Sequence, residues 1–239
     1  MEQNSFKKGI LDGLPICVGY FAVSFAFGIS AVAAGLTWLE AVLISMTNLT
    51  SAGQVAGVPI IAGGGTFAEL AVSQLVINSR YSLMSISLSQ HLSSKVKLWQ
   101  RFLIAFGNTD EIFAVSTANI FPVGSRYMFG LILTPLLGWT GGTLLGAVAG
   151  DVLPAIVVTS LGVAIYGMFI AIVVPQIKRE HSAAFCAAVA VIASCALYYI
   201  PVVSEIPDGF KIIICAIVAA LIAAICFPVS EEKEGTEND

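Results

Sequence analysis

Charge is what this chain has least of. Only 11% of its 239 residues are Asp, Glu, Lys or Arg, against about 25% in a soluble domain. By contrast 57% are hydrophobic, and the mean hydropathy is +0.91. Runs of roughly 18 or more apolar residues recur along nearly the whole length, which excludes a soluble globule and predicts an integral membrane protein in the lipid bilayer of the cell membrane. Histidine is almost missing: His91 and His181 lie near segment ends, which excludes paired haem ligation inside the membrane. The five cysteines (Cys17, Cys186, Cys195, Cys215, Cys226) fall inside apolar segments with no CxxC pair. They read as small buried hydrophobes, so a disulfide framework and a thiolate metal site are excluded. There is no Walker A lysine loop, no HExxH and no GxSxG elbow, so neither an ATP-driven pump nor a hydrolase is expected. No cofactor, metal or nucleic acid partner is expected, and no enzymatic activity.

The formal net charge of -4 belongs to the tail. "EEKEGTEND" (231–239) carries five acids and one lysine, leaving ten acids and ten bases in the body. Residues 230–239 are read as an acidic, disordered tail and residues 1–229 as a single transmembrane domain. Lys7 and Lys8 precede an apolar run longer than the roughly 7–15 residues of a signal peptide's core. A retained first span is expected.

Eight apolar segments are legible: about 14–34, 39–62, 66–89, 102–121, 127–149, 153–174, 182–200 and 210–228. Each meets the roughly 20 helical residues of a bilayer crossing, and none alternates as a barrel strand does. The fold class is therefore an all-α polytopic transmembrane bundle of about seven or eight segments. Eight simple crossings with the N-terminus inside place six Lys and Arg in the cytoplasm and four outside, a weak bias. The awkward loop is 90–101, whose Lys95, Lys97 and Arg101 would face out. One re-entrant element among the first three segments, and a second between segments 4 and 6, would correct this. The Gly-rich stretches near 53–65 and 138–150 are the candidates, since irregular backbone at membrane depth must be buried in protein or line a cavity.

Ionisable residues in a span cost at least ~2.5–3.5 kcal/mol at its centre and need a reason. Segment 3 carries "NSRY", with Asn78 and Arg80. Segment 4 carries "FGNTDEIF", with Thr109, Asp110 and Glu111. Arg80 lies about 13.5 Å back from the end of its segment and Asp110 about 12 Å into the next. The two should share one depth near the midplane. One arginine neutralises one acid, so the spare carboxylate must be protonated, face water or bind a cation. Gly107, Asn108 and Thr109 followed by two acids also resemble a helix start. A discontinuous helix and an unbroken helix with a polar face both satisfy that pattern. "TNLTSAGQ" (47–54) in segment 2 is a third polar cluster, read either as interhelical hydrogen bonding or as a substrate lining. Gly141, Gly142, Gly146 and Gly150 suit close helix packing. Trp99 and Trp139 suit interface anchors, and Glu40 and Glu69 hydrated segment ends. A cavity with one arginine, two acids and several amides suits a small organic ion, or a zwitterion such as an α-amino acid with an apolar side chain.

At these residues the chain resembles the AzlC family, azaleucine-resistance proteins that act as large subunits of branched-chain amino acid exporters. The resemblance runs from about residue 8 to 175. It is carried by "GLPICVGYFAVSFAFG" (13–28), "SAGQV" (51–55), "NSRY" (78–81), "RFLIAFGNTDEIFA" (101–114) and "GWTGGTLLGAVAG" (138–150). It implies ion-gradient-coupled export of leucine, isoleucine or valine with a small AzlD-like membrane subunit. The matching polar positions, which the resemblance makes substrate-binding, are Gln54, Asn78, Arg80, Thr109, Asp110 and Glu111, with Asp110 and Glu111 the proton-coupling candidates. One departure is visible: the family's second-segment motif reads closer to AGAAQF, whereas here Gln54 follows Gly53 directly. The rival reading is a non-transporting membrane scaffold or accessory subunit whose ion pair is structural.

Overall fold

A computed structural model of the chain describes residues 4–119, 122–150, 177–200 and 208–228, with scattered positions between 156 and 175 and at 206. The expected segment 153–174 and the acidic tail lie almost wholly outside the described residues. Among the described residues nine helices follow in order: α1 (Phe6–Ala33), α2 (Trp38–Thr47), α3 (Ala52–Ala62), α4 (Phe67–His91), α5 (Leu98–Phe106), α6 (Asp110–Thr117), α7 (Ser125–Ala149), α8 (His181–Tyr199) and α9 (Asp208–Cys226). Among the described residues there is no strand, only a bridge between Leu92 and Val123. Among the described residues, four helices are long and apolar enough to cross a bilayer: α1, α7, α8 and the span Gly209–Cys226 of α9. α4 matches α7 in length at 25 residues, but Gln74, Asn78, Arg80 and its serines lower its hydropathy. The chain divides into two compact units, Met1–Ile170 and Ala171–Asp239.

In the second unit α8 packs on α9. Phe185 near the start of α8 meets Phe227 just past the end of α9, edge to face at 5.5 Å, so the two helices run antiparallel.

The first unit is organised by α1 and α7, which lie side by side and parallel. Their backbones meet through glycine at a constant register. A methyl on Gly138 would stand 2.6 Å from the Cys17 carbonyl, one on Gly142 2.4 Å from that of Phe21, and one on Gly146 2.0 Å from that of Phe25. Gly28 returns the contact against Thr143. Glycine at these positions lets two helices touch with no side-chain layer between them. Not every glycine in the run contributes: a methyl on Gly141 would meet nothing within 4 Å. The stretch 138–150, a candidate re-entrant element, belongs instead to the unbroken α7. Its glycines serve helix contact rather than a chain reversal.

The parallel pair also fixes the direction of everything between. The near end of the unit gathers Asn4, the loop after α4 and the start of α7. Asn4 donates to the Pro122 carbonyl (3.1 Å) and accepts from Gly124 N (2.8 Å). Val123 N donates to the His91 carbonyl and Ser93 N to the Val123 carbonyl, each at 3.0 Å. α4 therefore ends where α1 begins and runs against it. Thr37 opens α2 at the far end with a reciprocal cap to Glu40, and Thr66 caps α4 at that same end by accepting from Glu69 N (3.1 Å). Chain leaving and returning at one end makes α2–α3 a hairpin. Gln54 confirms it by donating to Ser45 Oγ at 3.0 Å. Nine residues of unbroken helix would hold those two about 13.5 Å apart.

α5 and α6 form the opposite hairpin. α5 starts at the near end, where Lys97 N donates to the Gln100 side chain (2.9 Å) and Trp99 stacks on Phe129. The tip reaches Tyr20, about 21 Å into α1. α6 then returns until Asn119 donates to the Tyr127 hydroxyl (3.3 Å), which itself donates to Asp12 at 2.9 Å. Segments 39–62 and 102–121 are thus not single crossing helices, as their length suggested. Each is two half-length helices, with 10 and 11 residues in one hairpin and 9 and 8 in the other. Arms of about 12–16 Å reach half of a roughly 30 Å hydrocarbon core. A hairpin of two half-length helices stands at 38–62, where a re-entrant element was expected near 53–65. Its counterpart lies at 98–117.

The near end carries Lys7, Lys8, Lys95, Lys97, Arg101 and Arg126, while the far-end turns at 34–37 and 63–66 carry no Lys or Arg. By the positive-inside rule the near end is expected to face the cytoplasm. The hairpins make a testable map. Ala34→Cys and Ala62→Cys should both react with an impermeant maleimide added outside intact cells, and Ser94→Cys and Ala118→Cys should react only after permeabilisation. Labelling of one member of each pair from each side would show two full crossings instead.

Candidate functional site

The two hairpin tips, 48–51 and 107–109, converge on the middle of α4. At the second tip Thr109 caps α6 by accepting from Ile112 N. Asp110 and Glu111 then fall in the first turn, where the helix dipole favours negative charge. Arg80 of α4 meets Asp110 through Nη1, 2.8 Å from Oδ1 and 2.7 Å from Oδ2. Its Nη2 donates to the Tyr81 hydroxyl at 3.0 Å, and its guanidinium lies over the Tyr81 ring. Both partners stay 43% exposed within the isolated chain, so this is a pair beside an opening rather than a sealed one. Glu111, the spare acid, is exposed and meets the Tyr20 hydroxyl. That hydroxyl is also hydrogen-bonded to Thr109 Oγ1 at 2.7 Å.

From Tyr20 the contacts run on into the core. Its ring sits edge to face on Trp139, centroids 5.2 Å apart. Trp139 Nε1 donates to Gln54 Oε1 at 2.8 Å, and Ser45 Oγ lies 2.7 Å from Thr143 Oγ1. Every polar atom in this buried string has a partner, as its surroundings require. The string joins the N-terminus of α3 to that of α6 through α1 and α7.

The first tip has its own polar set. Gln74 Nε2 donates to the Gly53 carbonyl at 2.8 Å, and Gln74 Oε1 accepts from Asn78 at 3.0 Å and from Asn48 at 3.4 Å. Thr50 Oγ1 donates to Asn48 Oδ1. Ser51 at the turn holds a left-handed backbone, φ 39°, with no side-chain cap for α3. A non-glycine residue in that region carries backbone strain. Two buried acceptors near the tips, Asn78 Oδ1 and Asn108 Oδ1, have no hydrogen-bond partner.

Of the six residues expected from sequence, the structure pairs Arg80 with Asp110 and brings Thr109 and Glu111 together through Tyr20. Gln54 is buried, at 1% exposure, and reaches that cluster only through Trp139. Asn78 does not touch the acids; it belongs to the other tip. Trp139 is no interface anchor, since it is 3% exposed at the centre of the unit. Glu69 is buried rather than hydrated. Sequence reasoning missed Tyr20, Gln74, Ser45 and Thr143. A tyrosine halfway along an otherwise apolar first span, its hydroxyl needing a partner, was the available signal for Tyr20. Among the described residues no group of three or more His, Cys, Asp or Glu is placed to hold a metal ion.

An all-helical, multi-pass membrane protein with two half-length hairpins whose tips reach the middle of α4, one of them at an ion pair, is the class these features define. The chain belongs to the AzlC family, whose model, described as AzlC protein, matches residues 15–153. It is 31% identical over 229 residues to the inner membrane protein YgaZ of Escherichia coli, covering 92% of this chain and 91% of that one. It is also 32% identical over 178 residues to an uncharacterized membrane protein of Archaeoglobus fulgidus, covering 74% of this chain and 78% of the relative. No solved structure matches it.

Proposed function

We propose that this chain is the transporting subunit of a secondary exporter for branched-chain and similar apolar amino acids in the cytoplasmic membrane. It is coupled to an ion gradient and works with a small AzlD-like membrane subunit. The observation that carries the reading is the N-terminus of a broken helix, α6, set against the middle of α4 at a half-open Arg80–Asp110 pair. Transporters place broken helices there so that polar substrate groups find partners without water. Arg80 is the partner for the substrate carboxylate. Asp110 or Glu111 takes the ammonium or carries the coupled proton, and Thr109 holds the α6 terminus in place. Gln54 and Asn78 shape the first tip. About eight segments, with 39–62 and 102–121 re-entrant, complete the proposed topology. No step of this scheme makes or breaks a bond within the substrate's carbon framework, which sets it apart from an enzyme.

The test is counterflow of labelled leucine in proteoliposomes holding the chain with its small partner. Saturable wild-type flux is expected. Its pH dependence should flatten in Glu111→Gln if that acid carries the proton. A structural scaffold would give no flux in folded wild-type protein.

A further inference from the structure

Beneath the tip of the α2–α3 hairpin lies a cavity of about 190 Å³ that neither Arg80, Asp110 nor Glu111 lines. Its walls are Ile44, Val58, Ile61 and Leu70, and amides of Asn48 and Gln74 stand at its polar side. No ionisable side chain lines it, so an ion is not its natural occupant. The volume is smaller than the roughly 300–1,000 Å³ of sites for drug-sized molecules, which limits the occupant to a small group.

The space exists because Gly57 has no side chain. A methyl there would come 3.3 Å from Gln74 Nε2 and 3.4 Å from Leu70 Cδ1. It would fit with a small adjustment of Gln74 and would occupy part of the cavity. Gln74 is held by Gly53 and Asn78, so the polar side is fixed. Asn78 stands behind Gln74 and does not itself line the cavity. Arg80 lies two residues on, about 200° round the helix, so α4 offers this cavity and the ion pair different faces.

We propose that this cavity is a specificity pocket that takes the aliphatic side chain of the transported amino acid at a station separate from the Arg80–Asp110 pair, with the amides of Asn48 and Gln74 toward its polar head. The inference rests on the transporter reading above and assigns side-chain choice to the first hairpin, apart from the charged cluster. Gly57 and Leu70 set its size.

Equilibrium binding of labelled leucine, alanine and phenylalanine to the purified protein in nanodiscs tests it, with counterflow measured in parallel. Gly57→Ala should weaken leucine about tenfold, the usual scale for one methylene in an apolar pocket, and leave alanine within about twofold. Leu70→Ala should gain phenylalanine binding, an effect misfolding cannot produce. Leucine bound and moved with unchanged selectivity in both variants overturns the pocket and leaves the transporter reading intact. Selectivity that shifts as expected while no amino acid crosses the membrane supports the pocket and overturns transport. No binding of any aliphatic amino acid to the wild type overturns the pocket outright.

Discussion

Arg80→Gln is expected to reduce amino-acid flux about a hundredfold, the equivalent of ~3 kcal/mol, and to lower the melting temperature of the purified protein. Two losses combine. The substrate carboxylate loses a charge-assisted partner that a neutral amide replaces poorly. Asp110 is left without its cation at mid-depth, where a lone carboxyl group costs at least ~2.5–3.5 kcal/mol on insertion scales. Adding Asp110→Asn removes the second loss and not the first. The double variant should recover most of the wild-type melting temperature and none of the flux. Thermal unfolding and leucine counterflow on the same preparations separate the two. Recovery of flux with stability would mean that the pair is architecture alone. A 2.7 Å contact at 43% exposure is consistent with a pair that exchanges its partner. A sealed pair would have to be broken before it bound anything.

Gly142→Ala should be strongly damaging, while its neighbour Gly141→Ala should be nearly silent. The added carbon at Gly142 would lie 2.1 Å from Ser24 Oγ and 2.4 Å from the Phe21 carbonyl. Ser24 can rotate, but the carbonyl is backbone, so α1 and α7 must part along their length. Overpacking of a tight core typically costs about 1–3 kcal/mol, and the rigid obstacle puts this case at the upper end. The expected signs are a melting temperature lowered by several degrees and reduced yield from the membrane. Gly141→Ala places its methyl in open space and gains a little helix propensity. Equal stability of the two variants would show that the seam is looser than its distances say.

The acids and the arginine were legible because the bilayer makes charge conspicuous. Depth arithmetic from the ends of two segments was enough to bring Arg80 to Asp110. Glu111's partner was not legible, because a tyrosine in a span reads equally as an apolar body or a polar tip. Trp139 misled for a related reason: its indole N–H suits a headgroup, and only Gln54, 85 residues away in sequence, shows that the donor is spent inside. The hairpins were half visible. Hydropathy measures apolar length, and two half-length arms joined by a polar tip have the length of one crossing. The misplaced basic loop at 90–101 was the better guide, because charge records which side a turn occupies. The glycine run at 138–150 carried too little information on its own. Gly141 and Gly142 are identical letters, and only the position of α1 distinguishes them.

The order of the elements has a consequence in symmetry. α1 rises from the near end and is followed by a hairpin that dips in from the far end. α4 descends from the far end and is followed by a hairpin that dips in from the near end. A half-turn about an axis in the membrane plane carries the first pair of features onto the second. This is the arrangement of an inverted repeat, with no matching letters to announce it: "TNLTSAGQ" and "FGNTDEIF" share little beyond a polar break and a glycine. Two modules of one design face opposite sides of the membrane. The ion pair belongs to the second of them, tying the middle of α4 to the tip of its own hairpin.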